Sequence, residues 1–240
     1  MGPTAHAGAY RRTGGGVARA MCTRYQLKAG TETLQRLFDC AASMAMPDGP
    51  IEVRPTDVAP IVIAGTQGRR FVAARFGLMP AWAKDPTIAR RLLNARGETV
   101  ATLPAFRDAF RHRRCLVPAS FFYEWRRLPN GKQPYRIGLA QGDLFAFAGL
   151  CEEKRQDDGE ILRTFAIVTT APNELIAPIH DRMPVILAPA DYAAWLDVTA
   201  NEKAAALLRP YPAASMTAEP VEKSPAARKL PEKRQLQLGF

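Results

Sequence analysis

The chain has 240 residues, of which 47% are hydrophobic, and this is enough for one large domain with its own core. No apolar run approaches the roughly 20 residues that a membrane-spanning helix needs, so we expect no membrane segment. With 33 Lys and Arg against 23 Asp and Glu, the formal net charge is +10. This excess favours a polyanionic partner such as nucleic acid, although a solubilising surface explains it equally well.

The cysteine pattern argues against a zinc site or a disulfide framework. The four cysteines are far apart and include no C-x-x-C pair: Cys22, Cys40, Cys115 and Cys151. The segment 1–20 is rich in Gly, Ala and Arg and lacks the apolar core of a secretory signal, so we expect a disordered leader or a mis-assigned start. Without an export signal, we expect reduced thiols in a cytoplasmic protein.

The first predicted elements are a helix, a strand pair and a second helix. A short amphipathic helix is predicted over Thr31–Cys40 from the spacing of its apolar residues. Two β-rich segments, Ile61–Ala64 and Phe71–Leu78, are separated by a turn-like sequence and are expected to pair. A second helix is predicted over Glu98–His112.

The second half of the chain is typical of a β-meander. Between Cys115 and Thr170, three turn signals separate four predicted strands. A short helical stretch at Asn173–Ile179, a strand at Met183–Leu187 and a mostly helical segment at Asp191–Leu208 follow. Because no repeat or internal linker divides the chain, we expect a single domain of the mixed α/β (α+β) class with a predominantly antiparallel sheet.

Four stretches place ionisable groups beside apolar strand residues: MCTR at 21–24, NARGET at 94–99, FYEW at 122–125 and IHDRMP at 179–184. Glu124 lies among aromatic residues, and burial there favours the protonated form that a general acid needs. A solvent-facing position next to Arg126 and Arg127 is an equally good interpretation. A lone His180 is more often structural than catalytic.

Together these stretches resemble the SRAP (SOS response-associated peptidase) family, the group that contains the YedK-like abasic-site processing proteins. The resemblance also rests on RPT at 54–56, FGLMPAW at 76–82 and FAFAGL at 145–150, all in the family's order. It covers the chain from Met21 to about Val221, so we expect an SRAP domain at 21–222 and a basic polar tail at 223–240. The resemblance implies a barrel-like twisted sheet with flanking helices.

The resemblance implies a covalent chemistry in which Cys22 is the nucleophile, Asn94 positions it, and Glu124 and His180 transfer protons. The free α-amine of an N-terminal Cys forms a Schiff base with the aldehyde of an opened abasic sugar. The thiol then closes a five-membered thiazolidine ring. This route needs either translation from Met21 or self-cleavage of the leader, and we favour a start at Met21 because the family begins there.

The expected partner is single-stranded DNA that contains abasic sites, bound by a monomer that is nucleoid-associated when on DNA. The resemblance implies that Arg24, Arg96 and Arg182 bind the DNA backbone and that bases rest on Trp82. We expect no metal, cofactor or membrane partner.

Two other functions remain open on sequence grounds. One is a cysteine peptidase that acts on other proteins, since Cys, His and Asn occur at separate chain positions. The other is a noncatalytic module that binds single-stranded nucleic acid. The net charge favours a DNA binder over a peptidase. A Cys22→Ala variant distinguishes all three, because covalent DNA capture is expected to vanish in it while noncovalent binding survives.

Overall fold

The computed structural model describes residues 22–42, 44, 46, 49–142 and 144–222. The predicted leader at 1–20 and the predicted tail at 223–240 lie outside the described residues. The strands, in chain order, are β1 Tyr25–Leu27, β2 Cys40–Ala42, β3 Ile51–Val53, β4 Val58–Gly65, β5 Gly68–Phe76, β6 Asn94–Arg96, β7 Arg114–Ala119, β8 Phe121–Leu128, β9 Gly131–Leu139, β10 Phe145–Arg155, β11 Ile161–Thr170, β12 Met183–Pro184, β13 Ile186–Leu187 and β14 Met216–Pro220.

The helices are short and flank these strands. The α-helices are α1 Thr31–Phe38, α2 Arg107–His112, α3 Tyr192–Leu196 and α4 Asn201–Ala206. Among the described residues, three 3₁₀ segments occur, at Pro86–Arg91, Pro189–Asp191 and Ala213–Ser215. Such short helices are not stable alone, so their packing against the sheets maintains them.

Five strands close into a barrel in the order β11-β10-β7-β4-β5, because β5 pairs back onto β11. Four of the contacts around this ring are antiparallel, and the closing pair is parallel. A ring with an odd number of strands cannot alternate direction throughout, so one parallel pair is required. Closure removes the free edges of the sheet. The expected mixed α+β class with a predominantly antiparallel, barrel-like sheet is confirmed.

A second, fully antiparallel sheet has the strand order β14-β9-β8-β1-β3. Its inner face packs on the barrel through aromatic side chains. Tyr25 of β1 and Phe122 of β8 both meet Phe147 of β10 edge to face, with ring centroids 5.7 and 5.8 Å apart. The two sheets therefore share one hydrophobic core.

The meander prediction was partly wrong, because the segment 115–170 lies in five strands that belong to two sheets. The chain bends at Ser120 between β7 and β8. There Ser120 donates its N–H to the carbonyl of Gln26 at 2.8 Å, and its hydroxyl accepts from the N–H of Lys28 at 2.9 Å. These bonds direct β8 to β1 in the second sheet. As a result β9 pairs with β8 and β14 instead of β10.

The other strand predictions are largely confirmed. The segments Ile61–Ala64 and Phe71–Leu78 lie in the antiparallel hairpin of β4 and β5, although β5 ends at Phe76. The strand expected at Met183–Leu187 consists of two short strands, β12 and β13. The helical prediction for Asp191–Leu208 corresponds to α3 and α4 with a break between them.

Two helix predictions were too long, and the helix predicted at a third stretch is absent from it. The helix expected at Thr31–Cys40 ends at Phe38, since Asp39 adopts a left-handed conformation (φ 47°) and Cys40 begins β2. Only Arg107–His112 of the predicted Glu98–His112 helix is α-helical, and turns precede it. The stretch 173–179 forms hydrogen-bonded turns, in which the Asn173 side chain binds the backbone N–H of Ile176 at 3.0 Å.

Candidate active site

Cys22, which precedes β1, is in direct contact with Glu124 of β8. The pairing of β1 with β8 matches Tyr25 with Phe122, and the N–H of Tyr123 donates to the carbonyl of Arg24 at 3.0 Å. This register places Cys22 beside Glu124. The Cys22 backbone N–H donates a hydrogen bond to Glu124 Oε1 at 2.6 Å. Cys22 is 1% exposed and Glu124 is 3% exposed. The predicted burial of Glu124 is confirmed, and the solvent-facing interpretation is wrong.

The surroundings of Cys22 favour a neutral thiol. Burial raises the pKa of the Cys22 thiol well above its ordinary value, and the nearby Glu124 carboxylate raises it further. A cysteine peptidase instead needs a thiolate stabilised by a lowered pKa. The backbone of Cys22 has a φ of 41°, a conformation that residues other than glycine rarely adopt and that often occurs at functional sites.

Asn94 lies beside the barrel, against the second half of β11. It begins β6, which pairs in parallel with β11 so that Asn94 matches Ile167 and Arg96 matches Thr169. Alternation along β6 buries Ala95 and leaves Arg96 exposed, while Asn94 is half-buried. The chain then turns at Gly97, whose N–H donates to the carbonyl of Thr169 at 2.8 Å.

His180 approaches the same end of β11. It precedes β12, which pairs antiparallel with β11 by matching Pro184 with Thr169. The His180 side chain is only 8% exposed. Its Nδ1 atom lies 3.2 Å from the backbone nitrogen of Arg182 and 2.9 Å from Oδ1 of Asp181. Because β6 and β12 both pair with β11 at Thr169, the Asn94 and His180 motifs are brought together there.

The three arginines predicted to bind the DNA backbone differ in their surroundings. Arg182 makes two contacts of 2.8 Å with the Glu98 carboxylate, and Arg24 donates to Glu52 at 2.8 Å. Arg96 is exposed. Sequence reasoning missed both acidic partners, although Glu98 lies in the same NARGET motif as Arg96. DNA binding by these arginines stays a prediction.

Glu52 is a buried carboxylate held between two guanidinium groups. It is 3% exposed and accepts from Arg24 at 2.8 Å and from Arg54 at 2.6 Å. Burial alone raises the pKa of Glu52, but the hydrogen bonds from Arg24 and Arg54 outweigh it and lower the pKa below its ordinary value. Glu52 is therefore charged near neutral pH, which offsets part of the positive charge of Arg24 and Arg54.

Trp82 lies on the surface, with 60% of its area exposed. It borders two open grooves of about 450 and 340 Å³. The first is walled by Pro80 and Pro104, and the second by Lys84 and Arg91. An exposed indole with cations nearby is suited to stacking on a nucleic-acid base, and this role stays a prediction.

The described part of the chain lacks a cluster suited to a metal ion. There, no three His, Cys, Asp or Glu side chains lie together in a way that could hold one. No helix among these residues is both long and apolar enough to cross a membrane. The four cysteines predicted to be reduced are buried and unpaired: Cys22, Cys40, Cys115 and Cys151.

Comparisons with known proteins agree on one family. A family model described as SOS response associated peptidase (SRAP) matches residues 21–225. The Abasic site processing protein YoqW of Bacillus subtilis is 41% identical over 207 residues, which cover 82% of this chain and 91% of that protein. YedK of Escherichia coli, which carries the same description, is 34% identical over 123 residues, covering 50% of this chain and 52% of its own length. A crystal structure from Bacteroides thetaiotaomicron superposes with a TM-score of 0.74 at 26% identity, covering 83% of this chain and 92% of that one.

Proposed function

We propose that this chain, which belongs to the SOS response-associated peptidase (SRAP) family, processes abasic sites in single-stranded DNA by forming a covalent cross-link through an N-terminal Cys22. The descriptions of YoqW and YedK as abasic site processing proteins support the substrate class. The observation that carries the proposal is the 2.6 Å hydrogen bond from the Cys22 nitrogen to Glu124. This bond places the buried Glu124 carboxylate within hydrogen-bond distance of the nitrogen that would attack the sugar.

The proposed reaction starts at this nitrogen once it is a free amine. The amine adds to the aldehyde carbon of the opened sugar, and the resulting carbinolamine loses water to give an imine. Glu124 is within reach to accept the proton from the nitrogen and to return it to the departing hydroxyl. The thiol then adds to the imine carbon while its proton passes to the nitrogen. One water leaves overall, and no oxidant is needed.

The raised pKa of the Cys22 thiol supports this order of steps. A buried neutral thiol is a weak nucleophile, whereas an α-amine with a reference pKa of about 8 is partly unprotonated near neutral pH. The amine therefore attacks first. The thiol acts second, on an imine carbon that is already activated and only two bonds from Cα of the same residue. The ring that closes has five members.

His180 suits the transfer of a proton to and from the sugar. When its ring is neutral, Nδ1 can accept the backbone N–H of Arg182 at 3.2 Å, which leaves the ring proton on Nε2. When the ring is protonated, Nδ1 can donate to Asp181 at 2.9 Å. Both protonation states thus have a partner, as a group that takes up and releases a proton requires.

Removal of the segment before Cys22 by the domain itself is a second candidate function. Glu124 contacts the nitrogen of the bond between Met21 and Cys22, where a proton is needed as the amine leaves. In this reaction the Cys22 sulfur attacks the Met21 carbonyl and the C–N bond breaks, the thiol proton passes to the leaving nitrogen, and water hydrolyses the resulting thioester. The product is the free amine that cross-linking requires.

The proposed function is tested with protein that begins at Cys22 and an oligonucleotide carrying one abasic site. We expect a species that survives heat and denaturant and migrates more slowly on a denaturing gel. The same oligonucleotide with an intact base should give no such band, and neither should Cys22→Ala protein that still binds the strand. A lack of adduct with the abasic oligonucleotide would contradict the mechanism.

A further inference from the structure

The hairpin of β8 and β9 carries exposed cations directly beyond the Cys22–Glu124 contact. Side chains alternate along a strand, so Arg126 lies on the same face of β8 as Glu124, two residues nearer the turn. At about 3.4 Å per residue, the two Cα atoms are about 7 Å apart. Glu124 is buried whereas Arg126 is exposed. The first exposed side chain on this face beyond the buried carboxylate is therefore a cation.

The register of the hairpin places like charges opposite each other. Arg127 of β8 is matched directly with Lys132 of β9, and both are exposed. Like charges at directly opposite positions destabilise a strand pair. Farther along β9, Arg136 has an acidic partner, Glu219, at 2.6 Å. By contrast, no ion pair within the described residues includes a cation of this hairpin end.

We propose that Arg126, Arg127 and Lys132, the hairpin tip, bind the DNA strand that flanks the abasic nucleotide on one side, with Arg126 on the face that carries Glu124 and with Arg127 and Lys132 on the other face. This proposal rests on the proposed function, because the flank must leave the site where the abasic sugar is held against Cys22 and Glu124. A phosphodiester strand is the partner that fits. It carries a negative charge at every nucleotide, and binding it relieves the repulsion between Arg127 and Lys132.

The test uses Cys22→Ala protein, which binds without cross-linking, in two variants with the same loss of charge. The first replaces the hairpin tip with Arg126→Gln, Arg127→Gln and Lys132→Gln. The matched control replaces three exposed arginines with Arg36→Gln, Arg70→Gln and Arg155→Gln. Arg70 lies near the start of β5 and Arg155 is matched with Ile161 at the start of β11, both at the opposite end of the barrel from Thr169, and Arg36 lies on α1.

The measurement is the affinity for an oligonucleotide with a stable abasic analogue at several salt concentrations. Each lost contact with a single strand should reduce the slope of log affinity against log salt by about 0.7, so the tip variant should lose about 2 units if all three cations bind. We expect the control variant to keep a slope close to that of the parent. Equal slopes and affinities for the two variants would overturn the proposal.

Shortening the oligonucleotide separates direct contact from a general effect of charge. The parent should lose affinity when the flank on the hairpin side is trimmed, and the tip variant should be insensitive to that trimming alone. If parent and variant respond alike on both sides, the hairpin tip does not hold the flank. Protein that keeps Cys22 tests the proposed function separately, through adduct formation. A missing adduct would contradict the proposed chemistry, and the comparison of affinities in the Cys22→Ala background would still hold.

Discussion

Arg182 and Glu98 form a two-point ion pair, with Nη1 donating to Oε1 and Nη2 to Oε2, each at 2.8 Å. Nη2 also donates to the carbonyl of Thr169 at 2.8 Å. The guanidinium thereby joins the turn after β6 to the end of β11, while the backbone of Arg182 contacts His180. This contact between residues 84 positions apart links the Asn94 and His180 motifs.

Glu98→Gln is expected to lower the free energy of unfolding by up to about 1 kcal/mol at neutral pH, because the pair is partly exposed and screened by solvent. The hydrogen bond from Arg182 lowers the pKa of Glu98. This stabilisation is therefore complete above the unfolded value of about 4.3 and is lost as the pH falls through the lower folded value. Urea unfolding of both proteins at pH 7, 5 and 3 measures it. A difference that stays constant down to pH 3 would exclude the ion pair as its source.

Arg96→Ala is expected to weaken binding to single-stranded DNA and to reduce the salt slope by about 0.7, as one phosphate contact requires. The side chain is exposed, so thermal stability should change little. Arg182→Ala should lower both affinity and stability, since it leaves Glu98 without its cation. Salt titrations and thermal melts of the two variants give the comparison. An unchanged slope removes Arg96 from the interface.

Glu124→Gln is expected to slow adduct formation by about 10²–10⁴-fold, the usual contribution of a positioned acid or base. The amide oxygen of Gln can still accept the hydrogen bond from the Cys22 nitrogen, so the variant removes proton transfer while preserving the contact. Single-turnover rates with protein that begins at Cys22 measure the effect, and binding should be unchanged. Cross-linking at the full rate would assign the proton transfer to another group.

The 240-residue chain is expected to be inert toward abasic DNA until the residues before Cys22 are lost. An acylated nitrogen can neither form an imine nor close the thiazolidine ring, and the thiol alone gives only a labile hemithioacetal. Intact mass before and after incubation separates self-cleavage from activity of the long form. If self-cleavage occurs, Glu124→Ala should slow it. An adduct that retains the residues before Cys22 would show that the α-amine is not the reacting group.

Local patterns were sufficient to predict much of this protein. The alternating apolar residues and turn signals predicted the hairpin of β4 and β5 and that of β8 and β9. The ordered motifs were sufficient to identify the family. The aromatic neighbours of Glu124 indicated one buried face, and the structure confirms that this carboxylate is buried. These features depend on residues that are close together in the chain, so they can be predicted from composition and spacing.

Contacts between distant segments could be decided only by the tertiary structure. The bend at Ser120 moves β8 into the second sheet because β1, about 90 residues earlier, supplies its hydrogen-bond partners. The pairing of Arg24 with Glu52 and of Arg182 with Glu98 likewise depends on which strands meet. An arginine in the sequence predicts a positive charge, but it does not predict which acidic residue will pair with it. Strand order brings the acidic residue within reach, and it thereby decides which arginines remain exposed.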